Sequence, residues 1–267
     1  MSYDDDEKPL YVASAWGRIF HSLTEHEALG AGSAGPGKSL VLLMDPLEQI
    51  TLEHNRCLEP KHPYRLRWGA STGWAVHFRR TMPMLEQTIA RALKYFPRLD
   101  PDVTFDKQKH TFKFQSGYRY QFAHCEHEND YEGHQSNEYS HQGYDELTQF
   151  EENQYDNLTT RVRSSDPLLS KMLKIRSASN PFFKRTAGVN IKVADPHWVR
   201  TRFVDPAPKG GVTLKKRMVM KDGREEVRTR IFLPATLFDN PDPEFVKQYE
   251  AKLMFAPSHI RNAMLYG

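Results

Sequence analysis

An eight-residue segment near the start of the chain constrains its fold more than any other feature. Residues 32–39 read Gly-Ser-Ala-Gly-Pro-Gly-Lys-Ser and match the pattern G-x-x-x-x-G-K-[ST]. In this pattern the glycines let backbone N–H groups surround phosphates, the lysine places a charge near the β- and γ-phosphates, and the final hydroxyl ligates Mg²⁺. The segment predicts a site for ATP or GTP whose cradle is made by Gly32, Ser33, Ala34, Gly35, Pro36, Gly37, Lys38 and Ser39.

The residues on either side of this loop fit the order of strand, loop and helix that the pattern requires. Residues 40–44 form an apolar run, which predicts a helix buried on most of its faces. Residues 27–31 lead directly into the loop, although this candidate strand is short and lacks β-branched side chains. A glycine-rich turn that binds no nucleotide is the alternative interpretation of the eight residues taken alone.

Composition indicates a globular chain that works in a cytoplasm. The 267 residues are 39% hydrophobic and 27% charged, which is enough apolar material for a sizeable core. Two cysteines, Cys57 and Cys125, are too few for a disulfide framework, and the acidic residues 1–8 do not resemble a signal peptide. No apolar run reaches membrane-spanning length. The net charge of +3 is compatible with a nucleic-acid partner but does not require one.

Strand patterns and helix patterns alternate along the chain, as in an α/β protein with a mostly parallel sheet. Residues 74–78 read as a strand, and an amphipathic helix follows from Thr81, with apolar positions through Phe96. Residues 111–122 predict a hairpin around Ser116 and Gly117, and residues 214–233 predict a second hairpin that turns at Asp222 and Gly223.

The adjacent carboxylates of Asp145 and Glu146 are the next candidates for chemistry. Nucleoside triphosphatases of the additional-strand class use such a pair at a strand end, where the first orients Mg²⁺ and the second polarises the attacking water. The preceding residues 139–144 lack the aliphatic run of a central strand, which argues against a central position in the sheet.

Several segments in a fixed order resemble the ATPase domain of bacteriophage terminase large subunits. They are the phosphate loop, residues 78–81, Asp145 with Glu146, residues 158–163, and the segment 174–181 that ends in Asn180 and Pro181. The resemblance implies a P-loop NTPase of the additional-strand catalytic-glutamate class, with a central, mostly parallel sheet flanked by helices. It further implies an ATPase core over residues 1–205 and a hairpin with a small lid subdomain over residues 206–267.

The resemblance also implies roles for individual residues. Lys38 would bind the triphosphate, Ser39 and Asp145 would organise Mg²⁺, and Glu146 would activate water, while Ser179 and Asn180 would couple hydrolysis to movement. The family often carries an arginine in the phosphate loop, where this chain has Ala34. The arginine that would offset charge on the transferring γ-phosphoryl group must then come from elsewhere, and the candidates are Arg79, Arg80, Arg161 and Arg163. Arg161 and Arg163, acting on a neighbouring subunit, are favoured.

The partners implied by the resemblance are double-stranded DNA, a small terminase subunit, a portal protein and further copies of this chain in a ring. Activity would occur in the bacterial host cytoplasm, on a procapsid and without a membrane partner. Relatives continue into an RNase H-like nuclease domain that this sequence lacks, so no DNA cleavage is expected from it. A helicase-like ATPase and a non-catalytic module that binds nucleotide in order to assemble remain alternatives.

Two further segments carry hypotheses of their own. Residues 124–128, with His134 and His141, bring histidine, cysteine and glutamate close together in sequence, but their spacing matches no standard zinc pattern. The basic run 215–217, with Arg224, Arg228 and Arg230, forms either a phosphate-contacting surface or a solvated hairpin face.

Overall fold

A computed structural model describes residues 11–180 and 197–266 of the chain, and within them nine strands form one sheet. The strands are β1 (Glu27–Gly32), β2 (Trp74–Arg79), β3 (Thr104–Asp106), β4 (Thr111–Lys113), β5 (Arg119–His124), β6 (His141–Asp145), β7 (Lys174–Ser179), β8 (Leu214–Val219) and β9 (Glu225–Ala235). The helices are α1 (Ala15–Ser22), α2 (Lys38–Met44), α3 (Leu47–Leu58), α4 (Met82–Leu99), α5 (Glu152–Thr159), α6 (Pro243–Leu253) and α7 (Ser258–Tyr266). None of these helices is long and apolar enough to cross a membrane.

The strand order is β3-β4-β5-β2-β6-β7-β1-β9-β8, and the six strands from β5 to β9 in this order run parallel. Strand β7 lies between β1 and β6, which is the additional strand that the predicted class requires. The predicted α/β fold class is therefore confirmed. Because the carboxyl ends of parallel strands meet at one edge, the residues that follow β1, β6 and β7 come together there.

Strand β6 is central in the sheet, contrary to the expectation from its polar sequence. It pairs with β2 and β7, and each of its five residues is buried. The His141 Nε2 atom lies 2.8 Å from Asp45 Oδ2, the Gln142 amide donates to the Leu158 carbonyl, and the Tyr144 hydroxyl donates to Gln142 Oε1. A polar strand is tolerated inside the sheet because its side chains find hydrogen-bond partners within the protein.

Most of the predicted elements are present. Strand β2, helix α4 and both hairpins form where the sequence patterns placed them, with β4 antiparallel to β5 and β8 antiparallel to β9. The buried face of α4 consists of Leu85, Thr88, Ala92 and Phe96, whereas Leu93, which the apolar pattern included, is 46% exposed.

The sheet continues beyond residue 205, where the sequence predicted the end of the core. Strand β9 pairs with β1 from Arg230 to Ala235, so the hairpin joins the central sheet through β9. After Ala235 the chain leaves the sheet, and Leu237, Leu253 and Leu265 form a small apolar cluster of their own. The predicted lid function of this region remains a prediction.

Candidate nucleotide-binding site

The backbone of the phosphate loop depends on its glycines, three of which, Gly32, Gly35 and Gly37, adopt positive φ. Gly32 adopts φ 141°, and a Cβ atom there would collide with the carbonyl oxygen of Ala235. Gly37 adopts φ 86° at the N-cap of α2, a left-handed conformation that glycine takes without strain. Two residues from later in the chain also hold the loop through hydrogen bonds. Ser33 N donates to Ala235 O at 2.8 Å, and the Asn240 amide donates to Gly35 O. The first N–H groups of a helix have no partner within the helix, so those at the start of α2 are available to a phosphate in the loop.

Lys38 lies inside the loop and is almost completely buried. Its Nζ atom donates to Ser33 O at 2.5 Å and to Asn180 Oδ1 at 3.2 Å. Burial lowers the pKa of Lys38 to about 8, against the opposing influence of the nearby carboxylates of Glu146 and Asp145. The ammonium group is thus held in position among backbone and amide oxygens, next to the acidic pair.

Asp145 ends β6 and is held from two sides. The Ser39 hydroxyl donates to Asp145 Oδ1 at 3.1 Å, and Arg79 donates to Oδ2 from Nε at 2.9 Å and from Nη2 at 2.6 Å. These charge-assisted bonds fix the carboxylate in its orientation. Arg79, the last residue of the neighbouring strand β2, therefore holds Asp145 in place. Arg80 instead donates to Gln154 Oε1 at 2.6 Å.

Glu146 adopts a left-handed backbone conformation with φ 59°, which is uncommon outside glycine. The Asn180 Nδ2 atom donates to Glu146 Oε1 at 2.5 Å, and Asn180 N lies 3.4 Å from Oε2. Burial and the neighbouring Asp145 raise the pKa of Glu146, more than Arg79, Lys38 and the Asn180 N–H lower it. One amide side chain therefore contacts both the loop lysine and the glutamate.

The two residues that the resemblance predicts to couple hydrolysis to movement lie at the carboxyl end of the additional strand β7. Ser179 is the last residue of β7, and its hydroxyl lies 2.9 Å from Thr148 Oγ1. Asn180 comes next, at the point where the chain leaves the sheet, while Pro181 of the predicted motif lies outside the described residues.

A cleft of about 660 Å³ is lined by residues 34–39 of the phosphate loop and by Asp145, Glu146 and Asn180. The sequence did not identify its other walls. Helix α4 contributes Arg91, Lys94 and Tyr95, and the region after the sheet contributes Asn240 and Phe245. Arg91 and Lys94 are exposed and have no hydrogen bond or ion pair with any residue of the described ranges. Their spacing of three residues puts both on one face of α4. This basic pair between the apolar positions was the one feature of the sequence that could have pointed to this wall of the cleft.

Arg161 and Arg163 do not reach this cleft within their own chain. Arg161 O accepts a hydrogen bond from Tyr139 N, and Arg163 N donates to Tyr139 O, which places both beside the residue that precedes β6 by two positions. Asp145 lies at the opposite end of β6, about 20 Å away along an extended strand. Arg163 instead pairs with Glu138 at 3.1 Å on the surface. Neither arginine therefore contacts the cleft of its own chain, and the predicted action on a neighbouring subunit stays a prediction.

The histidine and cysteine segment does not form a metal site. Cys125 is buried, His134 lies 2.8 Å from the Tyr139 hydroxyl, and His141 contacts Asp45. In the part of the chain that the structure describes, no three histidine, cysteine, aspartate or glutamate side chains are arranged to hold a metal ion.

The lowered pKa of Lys38 predicts a pH dependence of nucleotide affinity. The ammonium group loses its proton as the pH rises through about 8, and phosphate binds the charged form. The apparent Kd for ADP should therefore rise about tenfold between about pH 7 and pH 9. Calorimetry at constant ionic strength measures this change, and a Lys38→Arg variant, which stays protonated, serves as the control. A pH-independent Kd in the unaltered protein would contradict the prediction.

Neither a family model nor a curated protein matches the sequence, but solved structures match the fold. The large terminase of the thermophilic bacteriophage D6E aligns over 96% of this chain and 53% of its own, with 14% identity and a TM-score of 0.59. Its complex with ADP aligns with the same identity and TM-score over 95% of this chain and 52% of its own. The ATPase domain of the Thermus phage P74-26 large terminase aligns over 96% of this chain and 93% of its own, with 13% identity and a TM-score of 0.57. The chain spans about half the length of the D6E protein and has the fold of the ATPase domains of phage large terminases.

Proposed function

We propose that this chain is the ATPase motor of a viral terminase and couples ATP hydrolysis to the movement of double-stranded DNA into a procapsid. The observation that carries the proposal is the convergence of Lys38, Ser39, Asp145, Glu146 and Asn180 in one cleft. This convergence occurs on the fold that the D6E and P74-26 large terminases share.

Lys38 and the loop amides bind the triphosphate in this proposal, and Ser39 and Asp145 hold Mg²⁺. The donor set fits this ion, because Mg²⁺ prefers hydroxyl and carboxylate oxygens and the two side chains are already in contact at 3.1 Å. When bound, Mg²⁺ neutralises charge that develops on the β- and γ-phosphate oxygens. Arg79 keeps the Asp145 carboxylate turned toward Ser39 by occupying its other oxygen.

Glu146 positions the attacking water and accepts its proton. Its raised pKa makes it a stronger base than an exposed glutamate, and the Asn180 amide fixes one carboxylate oxygen. Water then attacks the γ-phosphorus in line with the leaving oxygen of ADP.

Asn180 and Ser179 couple this step to movement in our proposal. Asn180 contacts the lysine that binds phosphate and the glutamate that orients water, so a change at either one alters its hydrogen bonds. Ser179 extends this contact to Thr148, in the turn that follows the acidic pair. Strand β7 therefore connects the reacting groups to the centre of the sheet.

The remaining partners rest on the resemblance to terminases. The chain would act as a homo-oligomeric ring on a portal protein, with a small terminase subunit that supplies DNA, in the cytoplasm of a bacterial host. A helicase-like ATPase would share the site but would separate strands, and a non-catalytic module would bind nucleotide without turnover.

Measuring ATP hydrolysis with and without duplex DNA tests the proposal. Turnover should be stimulated by duplex DNA, and Glu146→Gln should lower it by about a hundredfold or more while nucleotide binding is retained. Glu152→Gln, a change of the same kind at an exposed position six residues later, serves as the control. Near-normal turnover in Glu146→Gln would contradict the role of Glu146, and unwinding of a labelled duplex would favour the helicase alternative.

The arginine that offsets charge on the transferring γ-phosphoryl group comes either from the same chain or from a neighbouring subunit, and mixing experiments distinguish the two sources. If Arg91, which lines the same cleft as Ala34, is this residue, Arg91→Gln should lower turnover by about a hundredfold, and mixing with Glu146→Gln should not restore it. If Arg161 or Arg163 supplies the charge to a neighbouring site, the double change Arg161→Gln with Arg163→Gln should lower turnover, and mixing with Glu146→Gln should restore part of it. Recovery of the Arg91 variant, or no recovery of the double variant when assembly is demonstrated, would contradict the respective assignment.

A further inference from the structure

The β8–β9 hairpin extends beyond the rest of the sheet. Strand β9 pairs with β1 only from Arg230 onward, so residues 225–229 pair with β8 alone. Because β9 runs parallel to β1, this extension leaves the sheet at its amino edge, opposite the nucleotide cleft. Five of the six side chains of β8 are exposed, and so are Glu225, Glu226 and Arg228 in the first half of β9. We call residues 214–230 the basic ribbon.

Charge is concentrated on the basic ribbon. The ribbon contains seven basic side chains against three acidic ones, an excess of four that exceeds the net charge of +3 of the entire chain. The basic residues are Lys215, Lys216, Arg217, Lys221, Arg224, Arg228 and Arg230. The remaining 250 residues therefore carry a net charge of −1, and the ribbon is the natural contact for a polyanion.

One cross-strand pair is unfavourable unless an anion binds there. Lys216 faces Arg228 directly across the hairpin, and opposed like charges destabilise an antiparallel pair. Glu226 on the same strand as Arg228 offsets this repulsion only in part, at 3.5 Å between two half-exposed side chains. A phosphate group bound between Lys216 and Arg228 would offset the repulsion between these two cations.

Protection of a sheet edge does not account for the ribbon by itself. Charged residues on an edge strand prevent pairing with other chains, but such protection needs no basic residues on β9 and no extension past the sheet. The tip also exposes Met218, Val219 and Met220, which weakens any protective effect.

We infer that the basic ribbon contacts the phosphate backbone of duplex DNA, an inference that rests on the proposed function. A two-stranded β-ribbon is narrow enough to enter a major groove. Strand β9 continues without interruption from the ribbon to Ala235, whose carbonyl accepts the hydrogen bond from Ser33 N in the phosphate loop. One strand therefore joins the DNA-binding surface to the nucleotide cleft.

Fluorescence anisotropy with a short labelled DNA duplex over a range of salt concentrations tests this inference. The triple variant Lys215→Gln, Lys216→Gln and Arg228→Gln should bind about tenfold or more weakly at moderate salt. Its slope of log K against log salt should become shallower by about 0.9 for each phosphate that the variant no longer neutralises. The control variant Lys61→Gln, Arg65→Gln and Lys107→Gln removes the same charge from exposed positions elsewhere and should bind as the unaltered protein does. Conversely, Glu225→Gln with Glu226→Gln should tighten binding.

The outcomes separate this inference from the proposed function. Circular dichroism establishes that each variant is folded. If the ribbon and control variants bind DNA equally while the unaltered protein binds well, the inference is overturned and the proposed function stands. If the unaltered protein has no affinity for duplex DNA at low salt, the proposed function fails and the inference fails with it.

Discussion

The amide side chain of Asn180 holds the two charged groups of the candidate site in one hydrogen-bond network. Its oxygen accepts from Lys38 and its nitrogen donates to Glu146, and both partners are largely buried. An aspartate at this position would repel Glu146, and an aliphatic residue would remove one hydrogen-bond partner from each of the two charged groups. The network exists only because β7 lies between β1 and β6, so the strand order of the sheet and the chemistry of the cleft depend on each other.

Elements that come late in the sequence hold the phosphate loop in place. The Ala235 carbonyl accepts from Ser33, and Asn240 donates to Gly35, so the end of β9 and the turn after it fix the loop backbone. Phe245 on α6 lines the same cleft. A displacement of this region would change the cradle around the phosphates, which makes it suited to transmit motion in either direction.

Much of the candidate site could be predicted from the sequence because its residues lie in short motifs. The phosphate loop and the Asp145–Glu146 pair each need specific residue types within a few positions, and such motifs can be recognised before the fold is known. The central position of β6 was not predictable, because its polar residues are satisfied by Asp45 and the Leu158 carbonyl, which are distant in sequence. Arg91 was missed for a related reason, since a basic pair on the exposed face of an amphipathic helix is common on protein surfaces and does not indicate a ligand until the cleft is assembled.

A mutant cycle between Asn180 and Glu146 tests most directly whether the Asn180 amide orients Glu146 for ATP hydrolysis. Asn180→Ala should retain nucleotide binding but lower the steady-state rate of ATP hydrolysis about tenfold or more, because Glu146 loses the group that orients it. Residues that act as one unit are not additive, so the double variant with Glu146→Gln should be no slower than Glu146→Gln alone. Rates that fall by the product of the two single effects, or normal turnover in Asn180→Ala, would contradict the account.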